Sequence, residues 1–340
     1  MRNVLVTFAG VVAAVLAWIG GAPGARAAEP AAAVVLYTSI DEPYVRPLMK
    51  EFEKKTGIAV KLVVDSEATK TAGLVEKIQA EKGNAKADVY WGNEPFHTIN
   101  LAKQGVLTPY QSPAAADILD RWRDKDWNYV CVGMRARTIA FSTRPQYAAL
   151  VGKIKGIMDL TNPALKGKIG ICHPGFGTAS GHFAAMYMVL GEGKYTQLMQ
   201  GLKANQIKLL GGNSVVAEQV AAGTLAAGPT DTDDVANGKA EEQKIDGVIP
   251  DQDAEGGMGT LLIPTTVALV NGAPHAQNAK KLIDFLLVPE VEKGLIEGRY
   301  LAYSVRGGEK QVKAMNVDYV QVAANMRKAI ELALTILQER

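Results

Sequence analysis

The stretch VVLYTSIDEP (34–43) decides the fold. An apolar run ends in the hydroxyls of Thr38 and Ser39, and Asp41 and Pro43 are residues that start helices. Val45, Leu48, Met49 and Phe52 then recur at helical spacing, so one strand feeds one helix. The unit repeats. Gly57 stops the helix, 59–64 is apolar and β-branched, and Asp65-Ser66 opens a second helical pattern through Leu74, Val75 and Ile78. Residues 87–91 read as a third strand, followed by a helix to about Lys103. Buried strands alternating with helices predict an α/β fold, a mostly parallel sheet flanked by helices, with its ligand crevice at the carboxyl ends of the strands.

A second unit of the same kind starts near Arg135. Residues 138–142, 168–172, 206–210 and 225–229 are strand candidates, with helical segments over 183–190 and 213–222. The chain then returns through a β-rich run at 259–270, which contains Pro264, and an amphipathic helix at 276–287. Two lobes joined by more than one crossing strand follow: lobe 1 over 33–134 plus 257–300, and lobe 2 over 135–256. In the last segment, 301–340, Val322, Met326, Ile330, Leu334 and Leu337 mark an amphipathic helix packing on the body.

The length of 340 residues suits two domains. With 48% hydrophobic and 21% charged residues the chain can bury a core, and disordered or fibrous classes are excluded. A formal charge of +2 without a basic run argues against a nucleic-acid partner. At the start, Arg2, the apolar run 4–20 and Ala25-Arg26-Ala27 form a secretory signal, cut after Ala27, with a retained membrane anchor as the alternative. Its removal takes away Arg2 and Arg26, which brings the 37 basic residues level with the 35 acidic ones. The expected product is periplasmic or otherwise exported. Cys131 and Cys172 do not follow the apolar run, so a lipid anchor is not indicated, and whether they pair stays open. His97, His173, His182 and His275 lack the spacing of a zinc site.

The predicted crevice residues are Tyr37, Ser39 and Asp41 after the first strand, Asp65 and Ser66 after the second, and Trp91, Asn93 and Glu94 after the third. Helix capping would explain Thr38 and Ser66 as well as ligand contact does, but capping calls for no aromatic ring. On the second unit, Gly177, Thr178 and Ser180 precede one helix and Asn213 and Ser214 begin another, so two helix amino termini could converge on an oxyanion, with Arg135 adding charge. Asp231, Asp233 and Asp234 follow an apolar strand and fall at the crevice end by the same geometry. Two unit charges about 4 Å apart repel by roughly 4 kcal/mol near a protein surface, so this run calls for something positive.

With these segments placed, VVLYTS (34–39), FEKKTGIAV (52–60), ADVYWGNE (87–94), GVLTPY (105–110), RARTIAFST (135–143), LKGKIGI (165–171), GGNSVV (211–216) and NAKKLIDFLLVPEVEKGL (278–295) occur in an order that resembles the periplasmic solute-binding proteins of ABC importers. The similarity is to the ferric-ion-binding branch of extracellular solute-binding protein family 1. It implies a two-lobed type II fold, a non-enzymatic receptor that works as a monomer, and an inner-membrane permease as partner. It also implies a tyrosine pair within 228–234 as iron ligands; here Asp233-Asp234 stands in that place.

Tyr37, Asp41, Glu94, Asp231, Asp233 and Asp234 are therefore the expected metal ligands, since ferric iron favours anionic oxygen. The expected cargo is ferric iron or another hard cation with a carbonate or phosphate-type co-ligand, and no catalytic cofactor is expected. The alternatives are an organic amine on the carboxylates with Tyr37 and Trp91 as cation–π faces, or a phosphonate or other oxyanion. A serine hydrolase built on Ser180 with His173 and His182 is the remote reading, because GTASG (177–181) is not a nucleophile elbow.

Overall fold

The computed structural model describes residues 33–65, 71–253 and 256–338. The signal segment 1–27 and Ser66 lie outside the described residues. The strands are β1 (Ala33–Thr38), β2 (Ala59–Val64), β3 (Val89–Gly92), β4 (Leu107–Thr108), β5 (Val130–Ser142), β6 (Gly170–Cys172), β7 (Lys208–Leu210), β8 (Ala227–Asp231), β9 (Ile245–Val248) and β10 (Leu262–Val270). The helices are α1 (Glu42–Thr56), α2 (Ala72–Ala80), α3 (Pro95–Lys103), α4 (Ala148–Val151), α5 (Gly177–Ala204), α6 (Asn213–Ala222), α7 (Thr232–Ala240), α8 (Ala276–Leu286), α9 (Pro289–Glu297) and α10 (Tyr319–Gln338).

The first strand–helix unit forms as its residues dictate. Val34 and Leu36 are buried, Glu42 and Pro43 occupy the first turn of α1, and Gly57 ends the helix in the left-handed conformation with its N–H on the Glu53 carbonyl. β1 pairs in parallel with β2 and β3. Among the described residues the main sheet runs β2-β1-β3-β10-β5-β8, with β4 on β10 and β9 on β5, and β6 pairs with β7. The architecture is the two-lobed type II α/β fold, with a mixed sheet: β10 runs antiparallel to both β3 and β5.

Strand β5 is longer than its sequence suggested, because its first half is as apolar as a core segment and continues directly into the second. Residues 130–136 pair with β10, whereas 137–142 pair with β8 and β9. One strand thus belongs to both lobes, and the change of partner falls between Ala136 and Arg137. The return crossing lies beside it, where the Arg137 N–H donates to the Leu261 carbonyl and Thr260 Oγ1 to the Arg137 carbonyl.

One core gathers residues of β1, β5, β10, α8 and α9 around Trp91 and Tyr300; another gathers α5, α6, β8 and α10 around Tyr195 and Phe183. Close approach of the second lobe's strands needs Gly228, where a Cβ would lie 2.2 Å from the Gly170 carbonyl oxygen. Helix α10 lies on α5, with Tyr195 Oη donating to the Ala329 carbonyl, and also touches α3, where Asn100 Nδ2 reaches the Ala323 carbonyl.

Candidate solute-binding cleft

Where β5 changes partners, a cavity of about 440 Å³ opens between the ends of the β1 and β3 strands and the amino termini of α5, α6 and α7. That is the size of a site for a small organic molecule or a metal chelate. Ser39, Asp41, Asp65, Asn93, Arg135, Gly177, Thr178, Asn213, Ser214, Asp231, Asp233 and Asp234 line it. These twelve were expected there, from both lobes; Ile40, Glu42, Pro43, Val64, Cys172, Phe176, Gly211 and Gly212 complete the lining and were not.

The chemistry of the wall is set by two arginines two residues apart. Alternation along β5 puts Arg135 and Arg137 on one face, and both are buried. Arg137 Nη1 donates to Asp231 Oδ1 at 2.6 Å and also faces Thr178 Oγ1 and Asn213 Oδ1, each at 3.1 Å. Thr178 Oγ1 in turn donates to Asp231 Oδ2 at 2.6 Å and accepts from Asn213 Nδ2 at 2.7 Å. The first turns of α5 and α6 and the residue that caps α7 are therefore tied into one cluster. Arg135 Nη1 donates to Asp231 Oδ2 at 3.1 Å and to Asp233 Oδ2 at 3.4 Å, and its Nη2 donates to the Asn93 carbonyl at 2.6 Å.

The three carboxylates are not equivalent. Burial alone would raise the Asp231 carboxyl, but Arg137 and then Arg135 hold it below the usual carboxylate range. Burial lifts Asp233 well above that range against the pull of Arg135, with Asp234 and Asp231 pushing the same way as burial. Asp234 is pushed up to about 6, first by burial and then by the charge of Asp231. Its Oδ2 accepts from Thr230 Oγ1 and from the Asp231 N–H at 3.3 Å. One oxygen in the cluster stands apart: Asp233 Oδ1 is buried and has no hydrogen-bond partner among the described residues.

The acidic run 231–234 was expected to call for something positive from outside, and the fold supplies part of it itself. Two guanidiniums already neutralise Asp231, whose two oxygens are both engaged. Arg137 escaped the sequence reading, although the signal was present: arginines at i and i+2 on a buried strand need carboxylates on the same face, and the run 231–234 supplies them.

Several expected ligands sit elsewhere. Tyr37 faces α2: its hydroxyl donates to Glu81 at 3.1 Å and Lys77 lies over its ring, in a core with Leu74 and Tyr90. Trp91 is fully buried, with Nε1 3.4 Å from Thr265 Oγ1. Glu94 caps α3, accepting from the Phe96 and His97 N–H groups, and its Oε1 lies 2.8 Å from His97 Nδ1. Ser180 Oγ donates to the Gly177 carbonyl within its own helix turn. Burial drives the His182 imidazole well below its ordinary value, with Arg137 adding to the effect, and no serine–histidine pair forms among the described residues. Cys131 and Cys172 are both buried, and no disulfide joins them among the described residues.

Against known proteins, the family model of bacterial extracellular solute-binding proteins matches residues 37–293. Iron uptake protein A1 of Synechocystis sp. is 25% identical over 289 residues, covering 80% of this chain and 76% of that protein. A putative 2-aminoethylphosphonate-binding periplasmic protein of Salmonella paratyphi A is 25% identical over 253 residues, 72% of this chain and 69% of its own. The solved structure of iron-bound HitA from Pseudomonas aeruginosa superposes with a TM-score of 0.78 at 20% identity, over 90% of this chain and 99% of that one.

Proposed function

Because the chain belongs to the bacterial extracellular solute-binding protein family, whose members are receptors rather than enzymes, we propose that it is the periplasmic receptor of an ABC importer. In this reading it is exported by the signal at 1–27, acts as a monomer and hands its cargo to an inner-membrane permease. The lobes are taken as 33–134 with 257–300 and as 135–256, a division supported by the change of partners along β5.

The proposed cargo is ferric iron carried with an anionic co-ligand. The observation that carries this reading is Asp233 Oδ1, an unpartnered buried oxygen on the wall of the cavity. A buried carboxylate oxygen without a partner is costly, and a cation or a strong donor removes the cost. Asp234 stands beside it, with carboxylate oxygens of Asp231, Asp233 and Asp234 within 4.8 Å of one another. A bare ion would leave most of the 440 Å³ unfilled, whereas a chelate fills it. Arg135 and the amino termini of α5 and α6 suit the anionic part. The relatives named for iron support the same class.

A second reading is an aminoalkylphosphonate, its ammonium on Asp233 and its phosphonate at the two helix termini. It is favoured by the pairing of Asp231 with two arginines, which leaves little negative charge for a trivalent ion. Metal analysis of protein purified without chelator, then calorimetry of the stripped form against ferric citrate, citrate alone and 2-aminoethylphosphonate, separates the two. Heat with ferric citrate only supports the first reading; heat with the phosphonate only replaces it by the second. Silence from all of the probes rejects both.

A further inference from the structure

Asn237 joins the two lobes at a point away from the cavity wall. It lies on α7, one turn beyond Asp233 and on the same face. Its Nδ2 donates to Tyr44 Oη on α1 at 2.7 Å, and its Oδ1 accepts from Arg299 Nε at 3.5 Å. Both ends of one amide from the second lobe are therefore held by the first. Tyr44 is braced from behind: its ring lies 4.7 Å from that of Tyr300, and the Arg135 guanidinium sits over Tyr300 at 5.3 Å. The contact is thus backed against β5, the strand the lobes share.

We propose that Asn237 and Tyr44 form a latch that holds the cleft closed before any solute enters. Neither residue lines the cavity, so the latch acts on the balance of open and closed forms and not on solute contact. The net worth of one hydrogen bond corresponds to about a two- to tenfold change in the closed-to-open ratio. A latch of that strength populates the closed form without making it irreversible.

The test needs no cargo and so does not depend on the reading of the site. Spin labels on cysteines placed at the exposed positions Lys54, on α1, and Lys244, just beyond α7, report the inter-lobe distance by pulsed dipolar spectroscopy in ligand-free protein. The expected result is a major short distance in the parent chain and about a two- to tenfold gain of the longer distance in Asn237→Ala. Tyr44→Phe removes only the hydroxyl and should give the same gain, which guards against a folding defect in the first variant. Distance distributions unchanged in both variants, or a parent chain already as open as they are, overturn the proposal.

Discussion

The guanidinium of Arg137 and the carboxylate of Asp231 meet at 2.6 Å with both side chains 2% exposed, at the point where β5 leaves one lobe for the other. Removing one partner of such a pair leaves an uncompensated buried charge, which costs about 3–5 kcal/mol. Asp231→Ala should therefore melt far below the parent chain in thermal unfolding followed by circular dichroism. Arg137→Met with Asp231→Leu together should recover part of that loss, because Arg137 no longer stands unpaired, while Arg135 still loses one of its two carboxylate acceptors. Equal destabilisation by the single and the double variants would refute the pair's role.

Asp233 behaves in the opposite way. Its carboxyl is held well above the usual range, so its ionised form burdens the ligand-free fold at neutral pH. Asp233→Asn should melt no lower than the parent chain, yet lose at least about tenfold in affinity for ferric citrate by calorimetry, the scale of a lost charge-assisted contact. A variant that is less stable but binds as before would show that Oδ1 serves the fold alone.

Tyr37→Phe should leave cargo affinity unchanged, since the hydroxyl bonds Glu81 on the far side of β1. Among the described residues no tyrosine lines the cavity, so a ferric complex of the parent chain should lack the visible phenolate-to-iron band. An intense band that Tyr37→Phe abolishes would mean the strand end rearranges on loading.

Glu94 and His97 give a pH dependence. Burial pulls the His97 imidazole down, but the adjacent Glu94 carboxylate outweighs it by charge and hydrogen bond, and the folded value ends above 6.5. A base whose folded value is raised contributes stability that is complete below 6.5 and fades as pH rises through the folded value. Relative to His97→Gln, the parent chain should lose melting temperature as pH rises above 6.5 and through the folded value of the imidazole. Parallel melting curves for both chains across that window would remove the coupling.

Much of the architecture was legible because it is written in local signals. The run 34–43 spells a strand and a helix start, and Asn213–Ala222 forms the helix expected over those residues. The strand ends also placed Asp41, Asp65, Asn93 and Asp231 at the cleft, since strand direction alone decides that. What remained hidden depends on which way a side chain turns. Trp91 is claimed by Thr265, 174 residues away in sequence, and Tyr37 by Glu81 on a neighbouring segment. Glu94 turns away from the cleft to cap α3, because two N–H groups of that helix lie within its reach. Arg137 was passed over because its three acceptors come from three separate helix starts.

The continuity of β5 has a practical consequence for anyone dividing this molecule. Neither half is a contiguous gene segment with a complete sheet, so expressing them as separate fragments would leave each with a raw edge and invite aggregation. A biosensor made from this scaffold is better built by inserting a fluorophore domain into a surface turn, with the shared strand left uncut.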